Sequence, residues 1–410
     1  MKIRLREAFR RSPEGQQAEA VLRSCVHCGF CNATCPTYLE TGHELDGPRG
    51  RIWLMKAYLE GEGASEITTR HLDRCLTCRN CETTCPSGVV YHDLLAVTRN
   101  RLEDEGAPRP LPARLARWAL RTLIPRRGLF WPLYRLGQRL RPLMPAQFRE
   151  SLAAPSALRP WRPAVAAASA PRRVLLLAGC VEGVAVPETQ HATARVLKAL
   201  GLEATLAPRA GCCGALPLHL GARAQAQALA RQNIDAWWPE LESGAEALVM
   251  TASGCGVEVK AYGALLADDS AYAERAAFVA EKTLDLSEYL QRFDLTAFAP
   301  KAPLRVAWHP PCTLQHGQGV RGVVEGLLDA VGVERVPVAE GHLCCGAAGT
   351  NALLEPAMAQ ALRARKLTHL EKAAPERIVT ANIGCELHLA AAAGRPVSHW
   401  ITLLAEALER

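Results

Sequence analysis

Cys25-Val26-His27-Cys28-Gly29-Phe30-Cys31-Asn32-Ala33-Thr34-Cys35-Pro36 sets four cysteines in the spacing C-x2-C-x2-C-x3-C-P. Cys75-Leu76-Thr77-Cys78-Arg79-Asn80-Cys81-Glu82-Thr83-Thr84-Cys85-Pro86 repeats the spacing. Three thiolates this close together wrap three corners of an iron–sulfur cubane. The fourth, placed before proline, points away and ligates a second cubane. The pattern therefore predicts two [4Fe–4S] clusters with exchanged fourth ligands. Cys25, Cys28, Cys31 and Cys85 are expected on one cluster, and Cys75, Cys78, Cys81 and Cys35 on the other. Zinc is the competing reading, but structural zinc is usually held by separated C-x-x-C pairs. Two four-cysteine runs with a trailing proline fit that arrangement poorly.

Working outward, the chain has 410 residues and 16 cysteines, enough length for two or three domains. No apolar run reaches membrane-spanning length, and the first twenty residues show no apolar signal region. The expected compartment is the cytoplasm, where thiols stay reduced; so many cysteines there point to metal or redox chemistry rather than disulfides. The net charge of +7 is unevenly placed. Residues 107–163 hold twelve Arg, no Lys and one acid, Glu150, which makes +11; the remainder is then +7 − 11 = −4. A mildly acidic protein thus carries one strongly basic connector. Its arginines alternate with leucine, tryptophan and tyrosine, which suits an acidic partner or an anionic membrane surface. No nucleic-acid recognition motif accompanies them, and no nucleic-acid partner is expected.

The other eight cysteines form an internal repeat. Cys180, Cys212, Cys213 and Cys255 are followed by Cys312, Cys344, Cys345 and Cys385. The first three are offset by 132 residues (312 − 180, 344 − 212, 345 − 213) and the last by 130 (385 − 255), a duplication with a two-residue deletion. Each adjacent pair is followed by glycine. Short apolar runs at 174–178, 247–251, 306–308 and 378–380 precede the single cysteines, and longer amphipathic stretches such as 188–200 and 355–370 alternate with them. Each copy reads as three strands alternating with three helices, a parallel sheet covered by helices. Ligands in such sheets gather beyond the carboxyl ends of the strands. The fold class is therefore α+β overall: a helical two-cluster domain followed by a duplicated α/β domain with parallel sheets. The expected boundaries are 1–106 for the cluster domain, 107–171 for the connector, and 172–300 and 301–410 for the repeats.

Weaker features are weighed against ordinary explanations. Residues 51–60 look helical and stop at Gly61. Arg49, Arg51, Arg74 and Arg79 lie near the runs, where positive charge stabilises a reduced cluster; solvated surface arginines explain each equally well. Gly317, Gly319 and Gly322 match G-x-G-x-x-G, but eight residues past the expected strand, and the first repeat has no glycine there. No nucleotide or flavin site is read from it. His309, His316, His342 and His388 lie near the second set of cysteines, and ordinary hydrogen-bonded histidines account for them.

With these motifs in place, the chain resembles two known families. The Cys-Cys-Gly repeats resemble the cysteine-rich domain of heterodisulfide reductase B subunits. Residues 25–38, 44–52, 71–89, 233–239, 251–256, 311–316 and 342–350 together resemble the iron–sulfur subunits of bacterial glycolate oxidase. The resemblance implies an electron-transfer subunit of a membrane-associated complex, with no catalytic residues of its own. A separate flavoprotein subunit would oxidise glycolate to glyoxylate, and this chain would relay electrons toward a quinone from the inner face of the cytoplasmic membrane. Related subunits serve lactate and glycerol-3-phosphate systems, and a disulfide- or quinone-reducing subunit or a docking scaffold stays open as an alternative. One departure matters. Heterodisulfide reductase repeats carry a fifth cysteine three residues after the last, where this chain has Glu258 and His388. Four cysteines per repeat suit an ordinary cubane or one shared cluster, or they serve as thiols.

Overall fold

The computed structural model describes residues 2–145, 149–150, 152–163, 172–300 and 302–408. Residues 164–171, the end of the expected connector, and Lys301, the first residue of the expected second repeat, lie outside them. The chain divides into two compact units. One gathers Met1–Arg121, Leu216–Arg223 and His342–Lys366; the other gathers Thr122–Ala215, Ala224–Gly341 and Leu367–Arg410.

The described part of the first unit is helical. Its main helices are α1 (Pro13–Ser24), α2 (Pro48–Ala57), α3 (Glu66–Asp73) and α4 (Tyr91–Asp104). Local chemistry starts them. The Ser12 hydroxyl accepts from the Gly15 N–H at 3.1 Å, and Pro13 occupies the first turn, where a missing N–H costs nothing. Ser65 caps α3 in the same way, accepting from Thr68 at 3.0 Å. The helix expected from residue 51 starts earlier, at Pro48, and passes into a wide turn, Tyr58–Glu62, in which Gly61 has φ 109°. Leu22, Met55, Leu72, Leu94 and Leu102 are completely buried in its core, each contributing roughly 1.5–3 kcal/mol by burial. The described residues of the connector include two α-helices, α5 (Leu111–Leu123) and α6 (Arg127–Leu140), followed by a short 3-10 turn at Arg141–Leu143. Three of its arginines are taken up in the first unit. Arg109 bonds Asp73 at 2.7 Å and Glu103 at 3.0 Å, Arg121 bonds Glu103 at 2.6 Å, and Arg117 lies 3.5 Å from both acids.

All strands among the described residues fall in the second unit. Strands β1 (Arg173–Leu176), β2 (Glu203–Leu206), β3 (Leu248–Met250) and β4 (Thr283–Asp285) form a parallel sheet in the order β2-β1-β3-β4. Strands β5 (Arg305–His309), β6 (Glu334–Arg335), β7 (Arg377–Thr380) and β8 (Val397–His399) repeat it as β6-β5-β7-β8. The fourth strand of each sheet, short and at the edge, goes beyond the three expected in each repeat. Central strands such as Val174-Leu175-Leu176 are buried on both faces, which explains their unbroken apolar sequence. The flanking helices used below are α7 (Glu188–Ala199), α8 (Arg223–Glu242), α9 (Ser253–Lys260), α10 (Ile383–Ala390) and α11 (Ile401–Ala407). One core serves both repeats: Val196 and Leu197 of α7 cluster with Ile401 and Leu404 of α11. At the sheet ends, the Ser253 N–H donates to Ala381 O at 3.0 Å and the Gly254 N–H to Asn382 Oδ1 at 3.1 Å.

Candidate metal centre

The two cysteine runs are related by a constant offset of 50 residues (75 − 25, 85 − 35) and fold alike. In the first, His27 and Gly29 have φ 56° and 88°; in the second, Thr77 and Arg79 have φ 50° and 59° at the matching positions. Left-handed backbone at three non-glycine residues costs about 1 kcal/mol or more each. Alternating left-handed turns aim successive N–H groups at one anionic centre. The runs meet at equivalent positions, where the hydroxyls of Thr34 and Thr84 lie 2.9 Å apart. Two cavities flank this contact. One is bordered by Cys25, Cys28, Cys31 and Cys85, the other by Cys35, Cys75 and Cys78. Cys81 borders both. Each run thus sends its proline-preceding cysteine to the other run's cavity, a donor set that fits a pair of cubanes. Burial, then the neighbouring thiols Cys25, Cys35 and Cys28, pushes the Cys31 thiol up to about 11. A bound cation reverses that balance and deprotonates a coordinating thiol.

The surroundings of the cavities differ. The first is walled by Val26, Phe30, Ile52 and Val89, with Arg49 at its rim bonded to the carboxylate of Glu44 at 2.6 Å. The second has Arg51 in its wall, 1% exposed. Its Nη1 is 3.0 Å from Thr37 Oγ1 and 4.0 Å from Cys35 Sγ, and its Nε donates to His71 O at 2.8 Å. Behind it lies the buried carboxylate of Asp46, 3.6 Å from Nη2, bonded to His71 Nδ1 at 2.7 Å and to Arg74 at 3.4 Å. Burial works against the charge on Arg51, but Cys75, Tyr91, Cys35 and Asp46 outweigh it and raise its pKa. Burial keeps His71 below its ordinary value despite Asp46. Tyr91 donates to Cys75 Sγ at 3.8 Å, and the buried Arg99 donates to the Cys75 carbonyl at 2.9 Å.

In the first repeat, the strand order reverses between β1 and β3, the usual ligand position in such a sheet. Cys180 follows β1, and Cys255 stands in the first turn of α9 after β3. Cys212 and Cys213 join them. Hydrogen bonds link Cys180 to Cys212, Cys212 to Cys213 and Cys213 to Cys255, so the four sulfurs form one chain of contacts. Cys212 accepts from Cys180, from Cys213 and from the Gly214 N–H, which holds it well below the ordinary thiol range. Gly214 has φ 92°, and in the second repeat Gly346 has φ 95° and donates its N–H to Cys344 Sγ at 3.4 Å. Glycine after the cysteine pair is thus required by the backbone in both copies. Two residues missed in the sequence hold the first pair. Asn233 of α8 donates to Cys212 O at 2.8 Å, and the buried Tyr262 hydroxyl donates to Cys213 O at 2.7 Å. Asn233 opens the stretch 233–239 already singled out, but nothing in its spacing announced this role.

In the second set, Cys312 and Cys385 lie after the adjacent strands β5 and β7 in the second unit, whereas Cys344 and Cys345 belong to the first unit. There Asn80, next to Cys81, donates through Nδ2 to Thr34 O at 2.9 Å and to His342 O at 3.1 Å, two residues before Cys344. Arg74 reaches Glu355 at 3.2 Å. Of the histidines considered, His309, His316 and His388 are buried and His342 is exposed.

A 4Fe-4S dicluster domain family matches residues 21–89, and a cysteine-rich domain family matches residues 174–260 and 306–390. The "Glycolate oxidase iron-sulfur subunit" of Escherichia coli (strain K12) is 49% identical over 410 residues, covering 100% of both chains. The chain belongs to the glycolate oxidase iron–sulfur subunit family. A "Probable glycolate oxidase iron-sulfur subunit" of Bacillus subtilis (strain 168) is 32% identical over 90% of this chain and 89% of its own. "Lactate utilization protein A" of Exiguobacterium sp. (strain ATCC BAA-1283 / AT1b) reaches 25% over only 53% of this chain, which disfavours the lactate alternative. Among solved structures, a hypothetical protein from Helicobacter pylori has the same fold at 12% identity, with a TM-score of 0.55 over 97% of this chain and 72% of that one. The N-terminal domain is a dicluster domain for two [4Fe–4S] clusters. No helix among the described residues is long and apolar enough to cross a membrane.

Proposed function

We propose that this chain is the electron-transfer subunit of a glycolate oxidase complex, relaying electrons from a flavoprotein subunit that oxidises glycolate to glyoxylate toward a quinone. The reading is carried by one observation: two crossed cysteine sets in a chain 49% identical from end to end to a glycolate oxidase iron–sulfur subunit. Removing a hydride equivalent from an alcohol needs a two-electron cofactor such as flavin, whereas bound [4Fe–4S] clusters supply one-electron carriers. Cys25, Cys28, Cys31 and Cys85 hold one cluster, and Cys75, Cys78, Cys81 and Cys35 hold the other. Cys180, Cys212, Cys213 and Cys255 hold a further iron–sulfur centre, with Asn233 and Tyr262 fixing the loop that carries the cysteine pair. By the sequence duplication alone, the same role extends to Cys312, Cys344, Cys345 and Cys385.

Helix α6 supports peripheral docking on the cytoplasmic membrane. Leu129, Leu133, Leu136 and Leu140 are exposed at i, i+4, i+7 and i+11, one helical face, while Tyr134 and Gln138 are buried opposite. Arg126 and Arg139 are exposed beside that face, and the connector's single acid is Glu150. Such a face enters anionic headgroups. The flavoprotein subunits alone should reduce a dye with glycolate but not a membrane quinone, and adding this chain should restore quinone reduction. Leu133→Glu with Leu136→Glu should abolish co-sedimentation with phosphatidylglycerol vesicles while leaving dye reduction intact. Quinone reduction without this chain would overturn the relay, and unchanged sedimentation would overturn the docking face.

A further inference from the structure

We propose that Arg51 holds the cluster at Cys35, Cys75, Cys78 and Cys81 at a higher reduction potential than the cluster at Cys25, Cys28, Cys31 and Cys85, so that an electron entering this unit comes to rest on the Cys35 side. The inference rests on the ligand sets proposed above. A [4Fe–4S] cluster gains one negative charge on reduction, and nearby charge and hydrogen bonds to sulfur set how readily it does so. A cation excluded from water acts far more strongly than a solvated one.

The arginines near the runs divide on that criterion. Arg49 is 39% exposed and paired with Glu44, and Arg79 is paired with Glu82 at 3.0 Å. Arg51 is 1% exposed, and its Nη1 faces Cys35 Sγ at 4.0 Å. Its counter-charge stands behind it: Asp46 is shared with Arg74 and with His71, and Arg74 also reaches Glu355. The network is close to neutral as a whole, but it is polarised with its positive end at the cavity. Two further donors reinforce that side, the Tyr91 hydroxyl at Cys75 Sγ and Arg99 at the Cys75 carbonyl. The first cavity has apolar walls and no buried cation among the residues bordering it.

The same geometry makes the side chain rigid. Nε is held by His71 O and Nη1 by Thr37 Oγ1, so the guanidinium cannot swing to follow Asp46. Lysine keeps the charge but lacks the planar fork whose separate nitrogens reach the two acceptors.

The test is an EPR-monitored redox titration of the full-length chain, purified anaerobically, with iron counted in each sample. Wild type should carry at least eight irons, and the two dicluster-domain clusters should titrate in two separated steps, apart from any signal of the cysteine-rich repeats. Arg51→Gln should lower only the higher step, changing its reduced-to-oxidised ratio at fixed potential at least tenfold, about 59 mV for a one-electron couple. Arg51→Lys should fall between the two. Arg23→Gln, at a solvated arginine two residues from Cys25, should move neither step appreciably. If the glutamine variant loses iron, Arg51→Lys decides alone, and an unmoved higher step at full iron content then overturns the inference. Full iron content with both steps unmoved in Arg51→Lys and Arg51→Gln, or with the lower step moving instead, overturns the inference. Fewer than eight irons in wild type overturns the ligand sets beneath it.

Discussion

Cys35 and Cys85 each precede a proline and each border the cavity of the other run. Cubane geometry dictates ligand spacing, which is why the eight cysteines could be assigned to two sets before any coordinates. Cys35→Ser should therefore disturb the cluster of Cys75, Cys78 and Cys81, at least 40 residues away (75 − 35), and spare the one nearest in sequence. Mössbauer spectra of the iron-loaded variant check this, and loss confined to the Cys25 cluster would refute the exchange. Other residues gave no such signal. Asp46, His71, Asn233 and Tyr262 matter through partners brought together only by folding. Arg51 looked like Arg49 and Arg79 in sequence, because a charge two residues from another charge says nothing about which one turns inward.

At the scale of elements, the central strands were legible and the edges were not. Runs at 174–178 and 378–380 correspond to β1 and β7, in which every residue after the opening arginine is buried. β6 is two exposed residues, Glu334 and Arg335, whose pairing with β5 no hydrophobic pattern could announce. The connector helices were hidden for a related reason: proline and arginine mask a helical period whose apolar face points outward. One cap offers a stability test. Asp285 opens the helix Leu286–Leu290, accepting from the Ser287 N–H at 2.9 Å while its own N–H is capped by Glu288 at 2.8 Å. Burial raises its pKa to about 6. The native state then keeps a proton that the unfolded chain has released, so this group's contribution is lost as pH rises from about 4 to about 6 and changes little above that. Asp285→Asn keeps the acceptor and removes the titration. Relative to wild type, the variant should gain about 1 kcal/mol between pH 5 and pH 7. Thermal melts at the two values read this, and a variant that gains nothing contradicts the buried, protonated carboxyl.

For the whole molecule, the duplication was readable as a constant offset and reappears as two sheets of identical strand order. The sequence did not show that residues 342–366, with the second cysteine pair, join the same compact unit as the cluster-binding helices. That membership places Cys344 and Cys345 in the unit where Asn80 bonds the chain just before them. On the proposed relay, this chain accepts electrons from glycolate only through a partner. The most direct measurement is freeze-quenched EPR after anaerobic addition of glycolate, with and without the flavoprotein subunits. Reduced [4Fe–4S] signals from this chain are expected within turnover time when the flavoprotein is present, and none when it is absent. Clusters reduced by glycolate in the isolated chain, or clusters that stay oxidised while the complex turns over, would contradict it.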